Sequence, residues 1–246
     1  MRIATFGSCL SRYIANNYTK IFGGYLVSSV YHNRSDAFIG RFIKKDWVET
    51  DFAEIAATLK IKVDDGDVEN NPVRILKNQY PEWMGKHRLS RGKPFLDLIR
   101  SGQVDVVIVD NYMDLAGRLI SDQESNGFFM RLGDFSSVNH QWKTRDYLSP
   151  EEGVKNMTQI IDFIRQHQPA AKIIFINFPH NTYSESPDRV RRTKIYEELF
   201  SYEGIMIIPC QEVQPLFQTK DKQHFKAQQY CAYAGMINYY VNSVAK

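Results

Sequence analysis

Residues 104–112 read "VDVVIVDNY". From Val106 to Val109 the apolar side chains run without polar alternation. A strand of that kind is buried on both faces, as happens inside a parallel sheet covered by helices on either side. It is preceded by "KPFLDLIRSG" (93–102), a helix that stops at Gly102, and it ends on the polar pair Asp110–Asn111. The same alternation of helix and buried strand recurs in both directions along the chain.

Toward the N-terminus, "RIATF" (2–6) is a short buried strand. Residues 9–22 then carry Leu10, Tyr13, Ile14, Tyr18 and Ile21 at near-helical spacing, and Gly23–Gly24 stops that helix. "YLVSSVY" (25–31) is a second strand. A helix is expected over 51–60, with Asp51 as cap and Glu54 three residues on, followed by a polar loop over 62–74. Toward the C-terminus, residues 121–149 are rich in Gly, Ser, Asp and aromatics and read as an irregular surface excursion. "SPEEGVKNMTQIIDFIRQHQP" (149–169) is the clearest helix, with Ser149 as N-cap, Pro150 at the first position and Glu152 closing a capping box. "AKIIFINFP" (171–179) is a strand, 188–204 a helix, "IMIIP" (205–209) a strand, and about 225–244 a last helix. Strands alternating with helices make an α/β protein, a three-layer α/β/α sandwich with a mainly parallel sheet. The whole chain, 1–246, is expected to form one such domain, with the excursion at about 121–149.

The composition is that of an ordinary globular protein, 43% hydrophobic and 24% charged. The formal net charge of +3 is too small to argue for nucleic acid as a partner. No apolar run is long enough for a transmembrane helix, and the N-terminus lacks the pattern of a secretory signal. Three widely spaced cysteines argue against a disulfide framework, so a reducing cytoplasm is the expected compartment. A chain whose leader had been trimmed would read the same way. The His and Cys residues show no metal-ligand spacing, so no metal is expected.

Right-handed crossovers bring the C-terminal ends of all parallel strands to one edge, where ligands bind. Three features fall there: "GSC" (7–9) after the first strand, Asn111 after the strand quoted above, and "DKQH" (221–224) before the last helix. A nucleophile, a histidine three residues after a carboxylate, and an amide donor are the parts that acyl transfer needs. The helix that follows Cys9 points its positive end at the same place, which favours a thiolate and a developing oxyanion.

These residues resemble the SGNH (GDSL-type) hydrolase superfamily. "FGSCLS" stands where that family has "FGDSLS", "VDNY" where it has "GxND", and "DKQH" fits its DxxH block. "GSCLSR" further resembles the GSCFA-like and capsular-polysaccharide acetyltransferase branches, which carry Cys in the first block. The resemblance runs through nearly the whole chain in order and spacing. It departs from the family in lacking the GDS aspartate and a clear counterpart of the second-block glycine.

The resemblance implies a flavodoxin-like sheet and a Cys/Ser–His–Asp mechanism. His224 would activate the nucleophile and Asp221 would orient His224. An ungapped alignment makes Cys9 the nucleophile; a shift of one residue makes it Ser8, with Cys9 packing. The oxyanion would be held by the Cys9 N–H and Asn111, with a third donor from Asn33, Ser35 or Gly40. The implied substrates are a sugar hydroxyl of a bacterial surface polysaccharide and a small acyl donor, acetyl-CoA or another acyl thioester, with no bound cofactor. Hydrolysis of an ester on such a sugar is the nearest variant. Arg34 and His180 are candidate pocket residues, and Arg189, Arg191 and Arg192 candidate holders of donor phosphates. The alternative is a non-catalytic carbohydrate- or nucleotide-binding module on a decayed scaffold of this type.

Overall fold

The computed structural model describes residues 1–47, 55, 57, 72–121, 127–131 and 143–243. Its centre is a parallel sheet of β1 (Arg2–Gly7), β2 (Tyr25–Tyr31), β3 (Val106–Asp110), β7 (Lys172–Ile176) and β8 (Met206–Ile208), in the order β2-β1-β3-β7-β8. Each neighbouring pair is parallel. β3 is buried along its whole length, as its unbroken apolar run requires. Ile3, Phe6, Ile108, Val109, Ile174 and Phe175 form the middle of the core. Burying one such side chain contributes about 1.5–3 kcal/mol.

Helices cover both faces. α1 (Cys9–Phe22) packs against α8 (Ala227–Ser243) on one side. On the other, α6 (Pro150–His167) packs against α7 (Pro187–Leu199), α2 (Ser35–Phe38) and α4 (Phe95–Arg100). The capping box of α6 forms as expected: Ser149 Oγ accepts from Glu152 N, and Glu152 Oε2 accepts from Ser149 N. α1 ends at Gly23, whose φ of 83° lies in the left-handed region that glycine adopts readily. No helix among the described residues is long and apolar enough to cross a membrane.

Several expected elements differ in detail. The helix over 51–60 lies outside the described residues except for Ile55 and Ala57. The loop expected to run to residue 74 instead ends in α3 (Pro72–Lys77), where Pro72 takes the first helical turn. The excursion contains a small antiparallel sheet, β5-β4-β6, formed by β4 (Leu119–Ser121), β5 (Gly127–Phe129) and β6 (Lys143–Thr144). It shields a satellite apolar cluster of Ile55, Ile75, Leu76, Ile120, Phe128 and Met130. α2 runs into a wider turn at Ile39–Ile43, closed by Lys44 N donating to Ile39 O.

The strand order reverses at β1. β2 lies on one side of it, and β3 with everything after lies on the other. The loops leaving β1 and β3 therefore part from each other at their C-terminal ends and leave a crevice. α5 (Tyr112–Ala116) begins at that edge, two residues after the end of β3.

Candidate active site

The crevice is occupied by a cleft of about 280 Å³ lined by Ser8, Cys9, His32, Tyr112, Met113, Arg131, Asp221, Gln223 and His224. Its floor is the turn from β1 into α1. Gly7 has φ 146°, and a Cβ there would lie 2.5 Å from Asp110 Oδ2. The absence of a side chain lets that carboxylate reach over the turn. Asp110 Oδ2 accepts from Ser8 N at 2.9 Å and Ser11 N at 3.0 Å, while Oδ1 accepts from Tyr112 N at 3.0 Å. Asp110 thereby fixes the turn that presents Cys9. Burial raises its carboxyl above the usual value, and the donated hydrogen bonds oppose that rise.

Ser8 and Cys9 part ways here. Ser8 is the N-cap of α1, its Oγ accepting from Leu10 N at 3.0 Å, and the residue is buried. Cys9 begins the helix and is partly exposed at the cleft. Its thiol interacts with the imidazole of His224, and Arg12 Nη2 donates to its Sγ at 3.1 Å. Burial alone raises a thiol. The positive charge of Arg12 and the hydrogen bond from His224 outweigh it, and the Cys9 thiol is held below its ordinary value of 9.0.

His224 sits between Cys9 and Asp221. Its Nδ1 meets Asp221 Oδ2 at 2.5 Å, which leaves Nε2 for the cysteine. Asp221 is in turn held by its own loop: Oδ1 accepts from the N–H groups of Gln223 and His224, at 3.0 Å each, and from Thr219 Oγ1 at 2.7 Å. The hydrogen bond to Cys9 pushes His224 up to about 9, burial opposes the rise, and Asp221 supports it. Burial would raise the Asp221 carboxyl, but the bonds from His224 and Thr219 keep it well below the usual carboxylate range. A lowered thiol facing a raised imidazole favours the thiolate–imidazolium form of the pair.

Three residues of this site, Arg12, His32 and Arg131, lie outside the three sequence motifs. Arg12 lies one turn along α1 from Cys9 and is 1% exposed. Its other terminal nitrogen meets His87 Nε2 at 3.1 Å, and its guanidinium lies 4.8 Å from the centre of the Tyr31 ring. His32 follows β2 with φ 59°, a left-handed conformation uncommon outside glycine, and its ring stacks on Phe129 at 5.3 Å. Burial, then the charges of Arg12 and Arg131, hold His32 well below the ordinary imidazole value, so it is neutral. Its Nδ1 is buried with no hydrogen-bond partner among the described residues, and the residue lines the cleft. Arg131 adds a positive charge to the cleft wall.

The expected oxyanion donors other than Cys9 N–H lie elsewhere. Asn111 is fully buried; its Nδ2 donates to Asn177 Oδ1 at 3.1 Å and its Oδ1 accepts from Phe178 N at 2.8 Å. It ties β3 to the end of β7 instead of facing Cys9. Asn33 Nδ2 donates to the carbonyls of Tyr31 and Asn78. Ser35 begins α2 under Asp114, and Gly40 packs so closely on Trp47 that a Cβ would lie 2.3 Å from its ring. None of these four lines the cleft.

Most of the candidate binding residues are also engaged away from the cleft. Arg34 is buried and consumed by Asp36, at 2.8 and 2.7 Å, and by the carbonyls of Gly117 and Asp146. Arg191 and Arg192 both pair with Asp188 and line a separate groove with Glu151 and Glu152, which is no cradle for phosphate. Arg189 stacks on Tyr183, 3.4 Å from the ring centre, and stands behind the cleft-lining Tyr112 at 5.1 Å. His180 sits beside Glu197 and Cys210, away from the cleft.

The chain matches no family model, and no curated protein is similar to it in sequence. Among solved structures it is similar to a carbohydrate esterase described as having divergent catalytic and non-catalytic binding functions, at 10% identity and a TM-score of 0.44 over 98% of this chain and 64% of that one. It is similar to an acetyl xylan esterase from the rumen bacterium Butyrivibrio proteoclasticus, at 13% identity and 0.45 over 98% of this chain and 63% of that one. A family 2 carbohydrate esterase with a carbohydrate-binding domain, from Corynascus thermopiles (Myceliophthora fergusii), gives 12% identity and 0.46 over 98% and 65%. The chain thus spans just under two thirds of the length of each of these proteins.

Proposed function

We propose that the protein is an acyl-transfer enzyme of the SGNH type, with Cys9 as nucleophile and a sugar hydroxyl as acyl acceptor or as the alcohol of the ester cleaved. The observation that carries this reading is the line Asp221–His224–Cys9 with Arg12 against the sulfur. A structural cysteine needs neither a buried arginine nor an oriented imidazole.

The steps follow from the atoms present. The Cys9 thiolate attacks the acyl carbonyl carbon, forming a C–S bond as the carbonyl pair moves to oxygen. The Cys9 N–H opens α1, where a backbone donor has no intrahelical acceptor, and with the Nε2–H of neutral His32 it receives that oxyanion. The tetrahedral intermediate collapses, and the leaving alkoxide or thiolate takes the proton from His224 Nε2. His224, now neutral, removes a proton from the sugar hydroxyl or water. That oxygen attacks the thioester, Cys9 leaves as thiolate, and the imidazolium is restored. His32 stays neutral because burial disfavours the imidazolium and protonation would add a charge beside Arg12 and Arg131. The small cleft suits a short acyl group and the edge of one sugar ring. An acetyl thioester is the proposed donor, and a bacterial surface polysaccharide the proposed acceptor.

The test measures acyl release from acetyl-CoA with and without sugar acceptors, beside hydrolysis of 4-nitrophenyl acetate. Intact mass and peptide mapping should find the acyl adduct on Cys9. Turnover in none of these assays, with no adduct, removes the enzyme reading in favour of a binding module.

A further inference from the structure

Sequence spacing offers no metal-ligand pattern, yet the fold brings three ligand types together outside the cleft. His180 follows β7, Glu197 is on α7 and Cys210 follows β8. One nitrogen, one carboxylate oxygen and one sulfur from these residues all lie within 4.8 Å of one another, and each residue is partly exposed. We propose that His180, Glu197 and Cys210 form a binding site for a zinc-class divalent cation, separate from the acyl-transfer centre.

The donor set decides the class of ion. Thiolate and imidazole select borderline ions such as Zn²⁺ over Ca²⁺ and Mg²⁺, which take oxygen ligands. Bond lengths of about 2.0–2.3 Å around a tetrahedral zinc set the ligand atoms about 3.3–3.6 Å apart. The three side chains therefore close by roughly an ångström on binding, within reach of rotamer adjustment on a partly exposed surface. Three protein ligands leave a fourth position for water.

Cys210 Sγ donates to Phe178 O at 3.1 Å, a bond given up when the thiol loses its proton to a metal. Cys210 N donates to Glu197 Oε1 at 2.6 Å, which orients one carboxylate oxygen. The two loops are cross-tied beside the ligands: Asn181 Nδ2 donates to Val213 O at 2.9 Å, and Val213 N donates to Asn181 Oδ1 at 3.2 Å. A cation here joins α7 to both loops at the C-terminal edge of the sheet. One of those loops continues to Asp221 and His224. Binding exchanges the thiol proton for the metal: the S–H bond breaks, the proton leaves to solvent, and the S–metal bond forms with no change of oxidation state.

The full-length protein, stripped with a chelator and kept reduced, is titrated with ZnCl₂ by calorimetry and with CoCl₂ by absorption. The expected result is one equivalent bound, a thiolate-to-cobalt charge-transfer band, and a rise in melting temperature with zinc. Cys210→Ser should abolish the band, and His180→Ala and Glu197→Gln should each weaken binding at least tenfold. Cys9→Ser should leave all of this unchanged. No binding by the folded wild-type protein overturns the proposal, whatever the variants do. So does a cobalt band that survives Cys210→Ser or disappears with Cys9→Ser, since the metal would then sit at the acyl-transfer centre.

Discussion

Arg12 Nη2 donates to Cys9 Sγ across 3.1 Å from one helical turn further along α1. The guanidinium is buried and therefore only weakly screened by solvent or salt. Its charge is the largest influence lowering the Cys9 thiol against burial. Arg12→Gln should move the midpoint of Cys9 alkylation by iodoacetamide to higher pH, while Arg12→Lys should move it less. Circular dichroism must show the variants folded, since a buried side chain is changed. A midpoint unmoved in a folded Arg12→Gln protein would mean that Arg12 packs beside the thiol without tuning it.

His224 is shifted in the complementary direction. Its pKa of about 9 is raised first by Cys9 and further by Asp221. The imidazolium is present below that value and lost as pH rises through it. The Cys9 thiol is lowered, so its thiolate is lost as pH falls through the lowered value. Turnover needs both charged forms and should be bell-shaped, with the alkaline limb near pH 9. Alkylation needs only the thiolate and should keep no such limb. In Cys9→Ala, the His224 ring protons followed by NMR should titrate at lower pH than in wild type. An unchanged midpoint there would sink the ion-pair assignment.

The residues of the nucleophile unit should act together. Cys9→Ala and His224→Ala should each reduce turnover by about 10³-fold or more, and the double variant should lose little beyond either. Additive losses, read from kcat of all three proteins, would count against a shared step.

The parallel sheet was legible because unbroken apolar runs such as 106–109 admit few other environments. That the strand ends meet at one edge follows from topology, and so does the approach of Cys9 to His224 from far apart in the chain. Side-chain direction at a strand end does not follow from either. Asn111 stands where an oxyanion donor was expected, yet its carboxamide turns to Asn177 and the backbone of Phe178. Arg12 reads in the sequence as an ordinary helical charge, and only the packing of α1 against Tyr31 and His87 buries it. Arg34 is absorbed by a partner two residues away, Asp36, which spacing alone does not reveal. The small sheet β5-β4-β6 is built from strands of two or three residues, shorter than the windows in which alternation can be read.

Ser8 offers a control for the choice of nucleophile. Ser8→Ala removes the cap hydrogen bond to Leu10 N and should cost about 0.5–2 kcal/mol of stability, seen in urea unfolding. Turnover should fall by much less than in Cys9→Ala. If Ser8→Ala instead abolishes turnover in a folded protein while Cys9→Ala retains it, the serine attacks and the cysteine packs.

His32 replaces Asn111 as the side-chain oxyanion donor in the proposed mechanism. Its neutral ring reaches the cleft from a left-handed backbone position, a strain that persists only where the surroundings impose it. A donor used only once negative charge develops on oxygen changes kcat and leaves KM nearly constant. His32→Ala should therefore lower kcat by about 10²–10³-fold, with KM within a few-fold of wild type. His32→Gln keeps an N–H donor and should recover part of that loss, whereas His32→Phe keeps the stacking on Phe129 and should recover none. The alkylation profile of Cys9 should still show a lowered thiol in all three, because Arg12 and His224 remain. If His32→Phe is as active as wild type, the ring only fills space against Phe129. The second donor must then be sought in the backbone.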